Sequence, residues 1–434
     1  MEIVQSDKIL SIQNSFLSRI CISFLIFIAP FSLGPFPLVG VYHYKYILSL
    51  IALLLFLLNF ENLIKNPFPL PQKYYFFSLW FASSFFTSLT FGLDYTDVSS
   101  YTFYDSTYSG VLSDILVLIP LQFFLLYLIH LTVESFSDII DYAKVFVLSG
   151  LFVNAWSLIA IVGGIGYNEE NRLSLMFEDA NYLGRFEVFF LTILIIYLFY
   201  KRNNILIKLI YVVNIVYGLM LIMYTSSRAA LLTFAVVTTI IVLFVRSKVF
   251  KISLISFNFL IFSYLIVSIA ARRGVGGGSG ILSSFLDLSN ATRVALNYSA
   301  IQIFWDYPVW GIGYRNFYNI YINYNYVPDF IPVLLKVSVV HSWLFSVLAE
   351  LGLFGAIPLC IILYLIFKNL IKSIIERIDF EGRFAALLVF GLFFVFLFNG
   401  LFFPVFFPEV LYPIIFGLAL GYVKLIYKFD KNQF

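Results

Sequence analysis

The sequence has little charge, cysteine or histidine. Asp, Glu, Lys and Arg make up only 12% of its 434 residues, against roughly 25% in a soluble globular chain. The two cysteines, Cys21 and Cys360, lie within apolar runs, which excludes a disulfide framework. The chain also offers no acidic cluster of the kind that holds a catalytic metal and no phosphate-binding loop after a strand. We therefore expect neither a metal nor another cofactor.

Apolar residues dominate what remains. They account for 61% of the chain, whereas soluble domains contain roughly 45–50%. A soluble domain of this size could not hide so much apolar surface from water. The composition therefore excludes a soluble enzyme, a nucleic-acid-binding protein and a disordered chain. It predicts an all-α protein embedded in a lipid bilayer.

Long apolar runs indicate how the chain crosses the membrane. A helix needs about 20 mostly apolar residues to span a bilayer, and twelve such runs are present. They lie near residues 16–34, 43–60, 74–92, 112–133, 143–162, 181–200, 205–224, 229–246, 252–271, 342–367, 384–403 and 409–427. We therefore predict a polytopic integral membrane protein with about 12 transmembrane helices, formed as a single membrane domain over residues 1–434. The first run lacks a small-residue cleavage site, which predicts a retained helix rather than a signal peptide.

The distribution of Lys and Arg predicts the orientation of these helices. With the N-terminus placed in the cytoplasm, 18 of the 27 cations fall on the inner side and nine on the outer side. Because inner loops carry an excess of Lys and Arg, this ratio predicts that both termini are cytoplasmic.

Arginine is concentrated on the outer side. Seven of the nine outer cations are Arg, but only five of the 18 inner ones. The outer cations are Lys45, Arg172, Arg185, Arg228, Arg272, Arg273, Arg293, Arg315 and Lys336. Arg grips phosphate or carboxylate through two parallel hydrogen bonds, which Lys cannot do. The bias indicates an anion site, while pairing with outer acids such as Glu169 and Asp179 is the alternative for any single arginine.

One outer segment is long enough to hold a site. Residues 272–340, between the ninth and tenth runs, begin with a glycine-rich hinge over 272–280 and then show helical spacing over 292–306. Pro308 ends this helix, and residues 311–317 form a tight turn into a second short helix. We expect a structured, partly helical loop that folds against the outer membrane face before helix 10.

His341 closes this loop where the tenth run begins. A neutral imidazole there is able to accept a proton or orient a hydroxyl group, although for a histidine taken alone a structural role is the commoner one. Few carboxylates lie within the apolar runs, Glu187 and Glu350 among them. Ion-driven transporters usually carry several such acids, so this small number argues against ion-coupled transport.

Three motifs follow one another along the outer side of the chain. They are TSSRAALL at 225–232, Arg293 with the helix that leads to DYPVWGIGYRNF at 306–317, and HSWLFSVLAELGLFG at 341–355. Their order and spacing, with the long loop ahead of the histidine, resemble the bacterial O-antigen ligase and Wzy-type O-antigen polymerase superfamily. The resemblance is clearest over 225–356, and FEDAN at 177–181 is a weaker fourth motif. Ala180 and Ser342 stand where family members commonly have Pro and Asn.

The resemblance implies a metal-independent glycosyltransferase of the bacterial inner membrane, which takes a sugar chain from an undecaprenyl-diphosphate carrier at the periplasmic face. By motif, Arg228 and Arg293 match the diphosphate-binding arginines, and His341 matches the catalytic histidine. Arg172 and Arg315 are added as diphosphate ligands from their placement on the outer side. The implied partners are the lipid-linked oligosaccharide, the bilayer, and the flippase and chain-length regulator of the same pathway; nucleic acid is not expected.

The residues leave the acceptor open. A polymerase passes the growing chain to the next lipid-linked repeat unit of an O-antigen, capsule or exopolysaccharide, and this is the preferred interpretation. A ligase passes the finished polysaccharide to lipid A core. A lipid-linked oligosaccharide flippase or another transporter is the third alternative. A flippase should line a central cavity with charge, whereas the charge of this chain gathers at one face.

Overall fold

The computed structural model describes most of the chain. The described residues are 2–29, 44–93, 108–167, 172–175, 177, 180–200, 204–244, 248–270, 288–324, 340–376, 379–402 and 411–431. The predicted hinge at 272–280 and the later part of the outer loop, 325–339, lie outside the described residues.

The described residues form helices joined by short turns. In chain order the helices are α1 (Glu2–Ile28), α2 (Tyr44–Lys65), α3 (Gln72–Phe91), α4 (Tyr108–Ser113), α5 (Ile119–Thr132), α6 (Phe136–Gly163), α7 (Ala180–Tyr200), α8 (Ile205–Tyr224), α9 (Arg228–Phe244), α10 (Lys248–Ala270), α11 (Leu288–Asp306), α12 (Phe317–Ile320), α13 (Trp343–Glu376), α14 (Phe380–Gly400) and α15 (Leu411–Lys431). A π-helical turn, Asp114–Leu118, joins α4 to α5, and a 3₁₀ turn, Tyr321–Tyr324, follows α12.

Eight helical segments in the described part of the chain are long and apolar enough to cross a bilayer. They are Ile47–Lys65, Val111–Thr132, Phe136–Gly163, Ala180–Leu198, Ile205–Tyr224, Trp343–Glu376, Phe380–Gly400 and Leu411–Lys428. Shorter apolar helices cover Asn14–Ile28, Arg228–Phe244 and Leu254–Ser263. The prediction of an all-α, multi-pass membrane protein is confirmed. Each of the twelve predicted runs overlaps a described helix, while the number of spans stays a prediction.

The bundle is organised around α7 and α14, which are almost wholly buried. α14 packs against five other long helices, α6, α7, α9, α13 and α15. α8 lies at the edge and turns most of its apolar side chains outward, as a helix that faces lipid does. Two polar contacts hold α8 to α6, from Asn154 to Asn214 and between Ser157 and Tyr217.

An ion pair with a buried carboxylate joins α1 to the start of α6, at the end of the bundle that the sequence predicts to be cytoplasmic. Ser135 and Asp138 cap α6 reciprocally, each side chain accepting a backbone N–H of the other residue. Asp138 Oδ1 also lies 2.9 Å from Arg19 Nη1, and the Asp138 side chain is fully buried. This contact fixes the end of the bundle that is opposite the outer loop.

α13 is interrupted near its N-terminal end. The helix runs for 34 residues, about 51 Å at 1.5 Å per residue, but Gly352 within it has φ 60° and ψ −161°. The apolar run at 342–367 therefore does not form one regular helix, although nothing in its hydrophobic pattern signals a break. A short half-helix, 343–351, precedes the break, and His341 lies just before that half-helix.

Backbone groups of residues 308–313 fill the break. On the C-terminal side of the break, two N–H groups of α13 donate to carbonyl oxygens of this segment. On the N-terminal side, two carbonyl oxygens of α13 accept N–H groups of this segment. The four pairs, donor first, are Leu353–Pro308, Phe354–Val309, Ile312–Ala349 and Gly313–Glu350, at 2.8–3.1 Å. Lipid offers no hydrogen bonds, so an interrupted helix is stable at this depth only if protein supplies the partners. We call residues 308–317 the clasp segment.

Gly352→Ala should destabilise the protein by more than about 2 kcal/mol. Gly352 has a backbone conformation that essentially only glycine adopts, and an added Cβ would lie 2.4 Å from the Val309 carbonyl oxygen. The measurement is the thermal unfolding midpoint in detergent. Gly163→Ala is the matched control, because a Cβ there meets nothing closer than 3.7 Å. Equal midpoints for the two variants would contradict the role given to the break.

Candidate functional site

The site begins at the sharp turn between α8 and α9. Thr225 Oγ1 accepts a hydrogen bond from the Ser227 N–H at 3.3 Å, and Ser227 Oγ accepts one from the Ala230 N–H at 3.4 Å. Ser226 has a positive φ of 53°, which makes the reversal tight. These contacts start α9 at Arg228. The positive end of the helix dipole and the guanidinium group therefore lie at the same place, which favours an anion there.

Arg172 ties this turn to the start of α7. Its Nε donates to the Thr225 carbonyl oxygen at 2.8 Å, and its Nη2 donates to Asn181 Oδ1 at 2.9 Å. The neighbouring Leu173 N–H donates to the Tyr224 carbonyl oxygen at 3.3 Å. The structure therefore places Arg172, predicted as a diphosphate ligand, against the backbone that presents Arg228.

The first turns of α7 pack closely on the same turn. A Cβ at Gly184 would lie 3.0–3.1 Å from side-chain atoms of Thr225 and Ser227, so a larger residue would push α7 away. The next residue, Arg185, is buried, with its guanidinium carbon 5.3 Å from the centre of the Phe396 ring of α14. α7 thus connects the Arg228 turn to the outer part of α14.

α14 links the start of α13, which follows His341, to the first turns of α9. Trp343 Nε1, in the first turn of α13, donates to the Leu397 carbonyl oxygen at 2.9 Å. Two residues further along α14, Asn399 Oδ1 accepts a hydrogen bond from Thr233 Oγ1 of α9 at 3.1 Å. The start of α13 and the first turns of α9 therefore contact adjacent positions at one end of α14. His341 is partly exposed there.

Arg293 lies on a helix that packs beside His341. Leu296, one turn further along α11, belongs to a buried cluster that also contains Val340, the residue before His341. The same cluster includes Ala349 of the half-helix 343–351. Arg293 itself is partly exposed. The packing thus brings the element that carries Arg293 to the start of α13.

Arg315 occupies a different setting from the other three arginines. Its Nη1 lies 2.5 Å from Asp114 Oδ2, and both side chains are largely buried, at 13% and 4% exposure. Arg315 also has a positive φ of 61°, which is uncommon for a residue other than glycine. Burial raises the pKa of the adjacent Tyr314 phenol well above its usual range, so it stays protonated beside the ion pair.

The clasp segment is held on both sides. Asn316 Nδ2 donates to the Leu93 carbonyl oxygen at 2.9 Å, and the Tyr314 N–H donates to Ser88 Oγ at 3.2 Å, so α3 supports one side. On the other side, the Ile312 and Gly313 N–H groups donate to the carbonyl oxygens of Ala349 and Glu350 in α13. The segment that leads from Arg293 towards His341 is therefore fixed between α3 and α13.

Part of this chain is similar to a known protein family. Residues 213–360 match the family model described as O-antigen ligase. The resemblance to the O-antigen ligase and Wzy-type polymerase superfamily is confirmed. No curated protein matches the chain.

The O-antigen ligase match includes most of the motif residues. It runs from the second half of α8 through α9, α10, α11 and the clasp segment to the middle of α13, and so contains Arg228, Arg293, Arg315 and His341. Arg172 lies outside it, as does the weaker motif at 177–181. The packing of α7 and Arg172 on the Arg228 turn shows how residues outside the match support those within it.

Two structural partners were not identified from the sequence as part of the site. Asp114 and Asn399 contact the motif elements, but each lies in an otherwise ordinary apolar run. A single acid within the run at 112–133 was the one available signal for Asp114, because a carboxylate in a span usually has a partner. The sequence gives no way to choose that partner.

Proposed function

We propose that the protein is a membrane glycosyltransferase that acts on lipid-diphosphate-linked oligosaccharides at the outer face of the bacterial inner membrane. The observation that carries the proposal is the shared contact of α9 and α13 with the end of α14, because it brings the helix start at Arg228 and the helix start after His341 together. The O-antigen ligase model that matches residues 213–360 supports the substrate class.

In the proposed reaction the bond between the anomeric carbon and the diphosphate oxygen breaks, and the anomeric carbon bonds to an acceptor hydroxyl oxygen. Negative charge grows on the leaving diphosphate. Arg228 and Arg293 bind it, and the N-terminal end of α9 adds to the stabilisation. His341 orients the acceptor hydroxyl and takes its proton. No nucleotide takes part, because the carrier already supplies the leaving group.

Arg172 and Arg315 stay predictions as diphosphate ligands. Their contacts suggest a supporting role for each. Arg172 holds the backbone at Thr225 and the side chain of Asn181, and Arg315 is paired with Asp114. We expect substitution of either to act mainly through the position of neighbouring elements.

Within the family we propose the polymerase reaction first, in which the acceptor is another lipid-linked repeat unit. The ligase reaction is the second candidate, since the matching family model is described as O-antigen ligase. The test is to give the purified protein undecaprenyl-diphosphate repeat units, without nucleotide sugar or divalent metal, and to measure chain length. Elongation without lipid A supports the polymerase. Transfer only after lipid A core is added supports the ligase, and movement of substrate between leaflets without transfer supports a flippase.

The proposed orientation has its own test. We expect a cysteine at Ser226, an exposed residue of the Arg228 turn, to react with a membrane-impermeant thiol reagent in intact spheroplasts. A cysteine at Lys372, which is exposed near the other end of α13, should react only after the membrane is opened. Both are introduced into a chain in which Cys21 and Cys360 are replaced by Ser. The opposite labelling pattern would place the arginine turn in the cytoplasm and exclude the proposed reaction site.

A further inference from the structure

Two uncommon backbone features meet at the outer end of the bundle. Asp114 begins a π-helical turn within an otherwise α-helical span, and Arg315 has a left-handed backbone conformation. Such features are retained where the surrounding structure holds them, and they are frequent at functional sites. In this protein each belongs to one partner of the same buried ion pair, at 2.5 Å.

The ion pair acts on the clasp segment because Arg315 lies in it. A buried pair is costly to break, since the remaining charge has no nearby water to stabilise it. Asp114 therefore fixes where Arg315 lies, and with it the nearby Ile312 and Gly313 N–H groups, which donate to the carbonyl oxygens of Ala349 and Glu350. Ser346 Oγ donates to the Glu350 carboxylate at 3.3 Å. Glu350 is thus held from the clasp segment and from its own half-helix.

The clasp segment in turn sets the direction of the half-helix 343–351. The Ile312 and Gly313 N–H groups bond to the last carbonyl groups before the break. A half-helix joined to the rest of α13 only through Gly352 takes its angle from such contacts rather than from a continuous helical ladder. His341 lies at the far end of this half-helix, so a small change of angle moves it by more than it moves Glu350.

We infer that Asp114 is a positioning residue that, through Arg315 and the clasp segment, holds His341 in register with Arg228; this rests on the proposed function. Asp114 lies in neither the family match nor any motif. Its ion pair is with Arg315, so we expect it to act on the geometry of transfer more than on the binding of the diphosphate by Arg228 and Arg293. The inference also gives Arg315 a structural role that does not depend on bound substrate.

The first test separates turnover from binding. Asp114→Asn keeps the shape of the side chain and removes its charge. We expect turnover to fall about tenfold or more while the KM for the lipid-linked donor stays within about twofold, because a small misplacement of a reacting group costs much rate. Asp114→Glu should recover part of the turnover. The double variant with Arg315→Gln and Asp114→Asn should lose no more turnover than Arg315→Gln alone, since both substitutions remove the same contact.

Asp138→Asn is the matched control. It removes an equally buried carboxylate from an ion pair with Arg19 at the other end of the bundle. We expect it to lower the thermal midpoint without changing turnover per folded molecule. If Asp138→Asn and Asp114→Asn lower turnover equally, Asp114 contributes only to general stability and the inference is wrong.

A second readout does not depend on activity. Spin labels at Ser226→Cys and Leu344→Cys, in a chain without Cys21 and Cys360, report the distance between the Arg228 turn and the half-helix. Asp114→Asn should shift or broaden this distance, and Asp138→Asn should not. An unchanged distance in Asp114→Asn overturns the inference even if activity falls. If the unsubstituted protein transfers nothing while the distance still responds, the proposed function fails and the coupling of Asp114 to the half-helix stands.

Discussion

His341→Ala should lower the rate of glycan transfer by about 10²- to 10⁴-fold, the usual contribution of a positioned acid or base. Its expected effect is on turnover, because the proposed proton acceptor acts on the acceptor hydroxyl and the arginines bind the donor. Donor affinity should therefore change little. Single-turnover transfer from a labelled lipid-linked donor gives the rate, and equilibrium binding of the same donor gives the affinity.

The position of His341 allows a clean interpretation of this variant. The residue is partly exposed and precedes α13, so its removal does not open a cavity in the core. Trp343→Phe is a useful comparison, since it removes the hydrogen bond to Leu397 that holds the start of α13 to α14. We expect a smaller loss there. A His341→Ala protein that transfers at the normal rate would remove the histidine from the mechanism.

Arg228→Lys and Arg293→Lys should each lower kcat/KM by about 10²- to 10³-fold, comparable to the loss of one donor from an oxyanion hole. Lys keeps the charge but offers no planar fork, so it cannot bind two phosphate oxygens in parallel. The loss should include weaker donor binding, unlike the loss in His341→Ala. Chain assembly in cells and kinetics with purified protein both measure it.

Arg383→Lys is the control for these substitutions. Arg383 is a partly buried arginine in the first turn of α14, at the opposite end of that helix from Asn399. The same chemical change there should leave transfer unaffected. Full activity in both Arg228→Lys and Arg293→Lys, with normal protein levels, would show that the diphosphate is not bound by a guanidinium fork at these positions.

The membrane architecture could be predicted because lipid imposes a simple rule on sequence. A spanning helix must be apolar over about 20 residues, and each of the twelve predicted runs overlaps a helix in the structure. The short helices of the outer loop were predictable as well. Pro308 ends α11 at Asp306, and the turn at 311–317 leads into α12, as the local sequence indicates.

The break in α13 could not be predicted, because its cause is not local. Gly352 lies in a run whose composition suits an unbroken span, and the groups that stabilise the interruption come from residues 308–313, about 40 positions earlier in the chain. The Asp114–Arg315 ion pair is even harder to predict from sequence, since its two residues are far apart in the chain. The sequence identified Arg315 as an outer arginine but could not supply the carboxylate that meets it.

The site was partly predictable for the same reason. Arg228, Arg293 and His341 belong to motifs whose order resembles that of the superfamily, so these residues could be grouped from the sequence. The contacts that join their helices are single side chains such as Asn399 and Trp343, which have no distinctive sequence setting. Arg172 was chosen only from its outer placement, and its hydrogen bonds to Thr225 and Asn181 were not foreseeable.

The interrupted helix has a consequence for how the chain is synthesised and inserted. The half-helix 343–351 is about 14 Å long and too short to cross the bilayer, whereas residues 353–376 extend for about 36 Å and suffice alone. The clasp segment precedes both parts, so it has already left the ribosome when the break emerges. Its carbonyl and N–H groups can therefore bond to residues 349–354 as soon as these are synthesised. The backbone groups at the break then have hydrogen-bond partners before α14 and α15 are made.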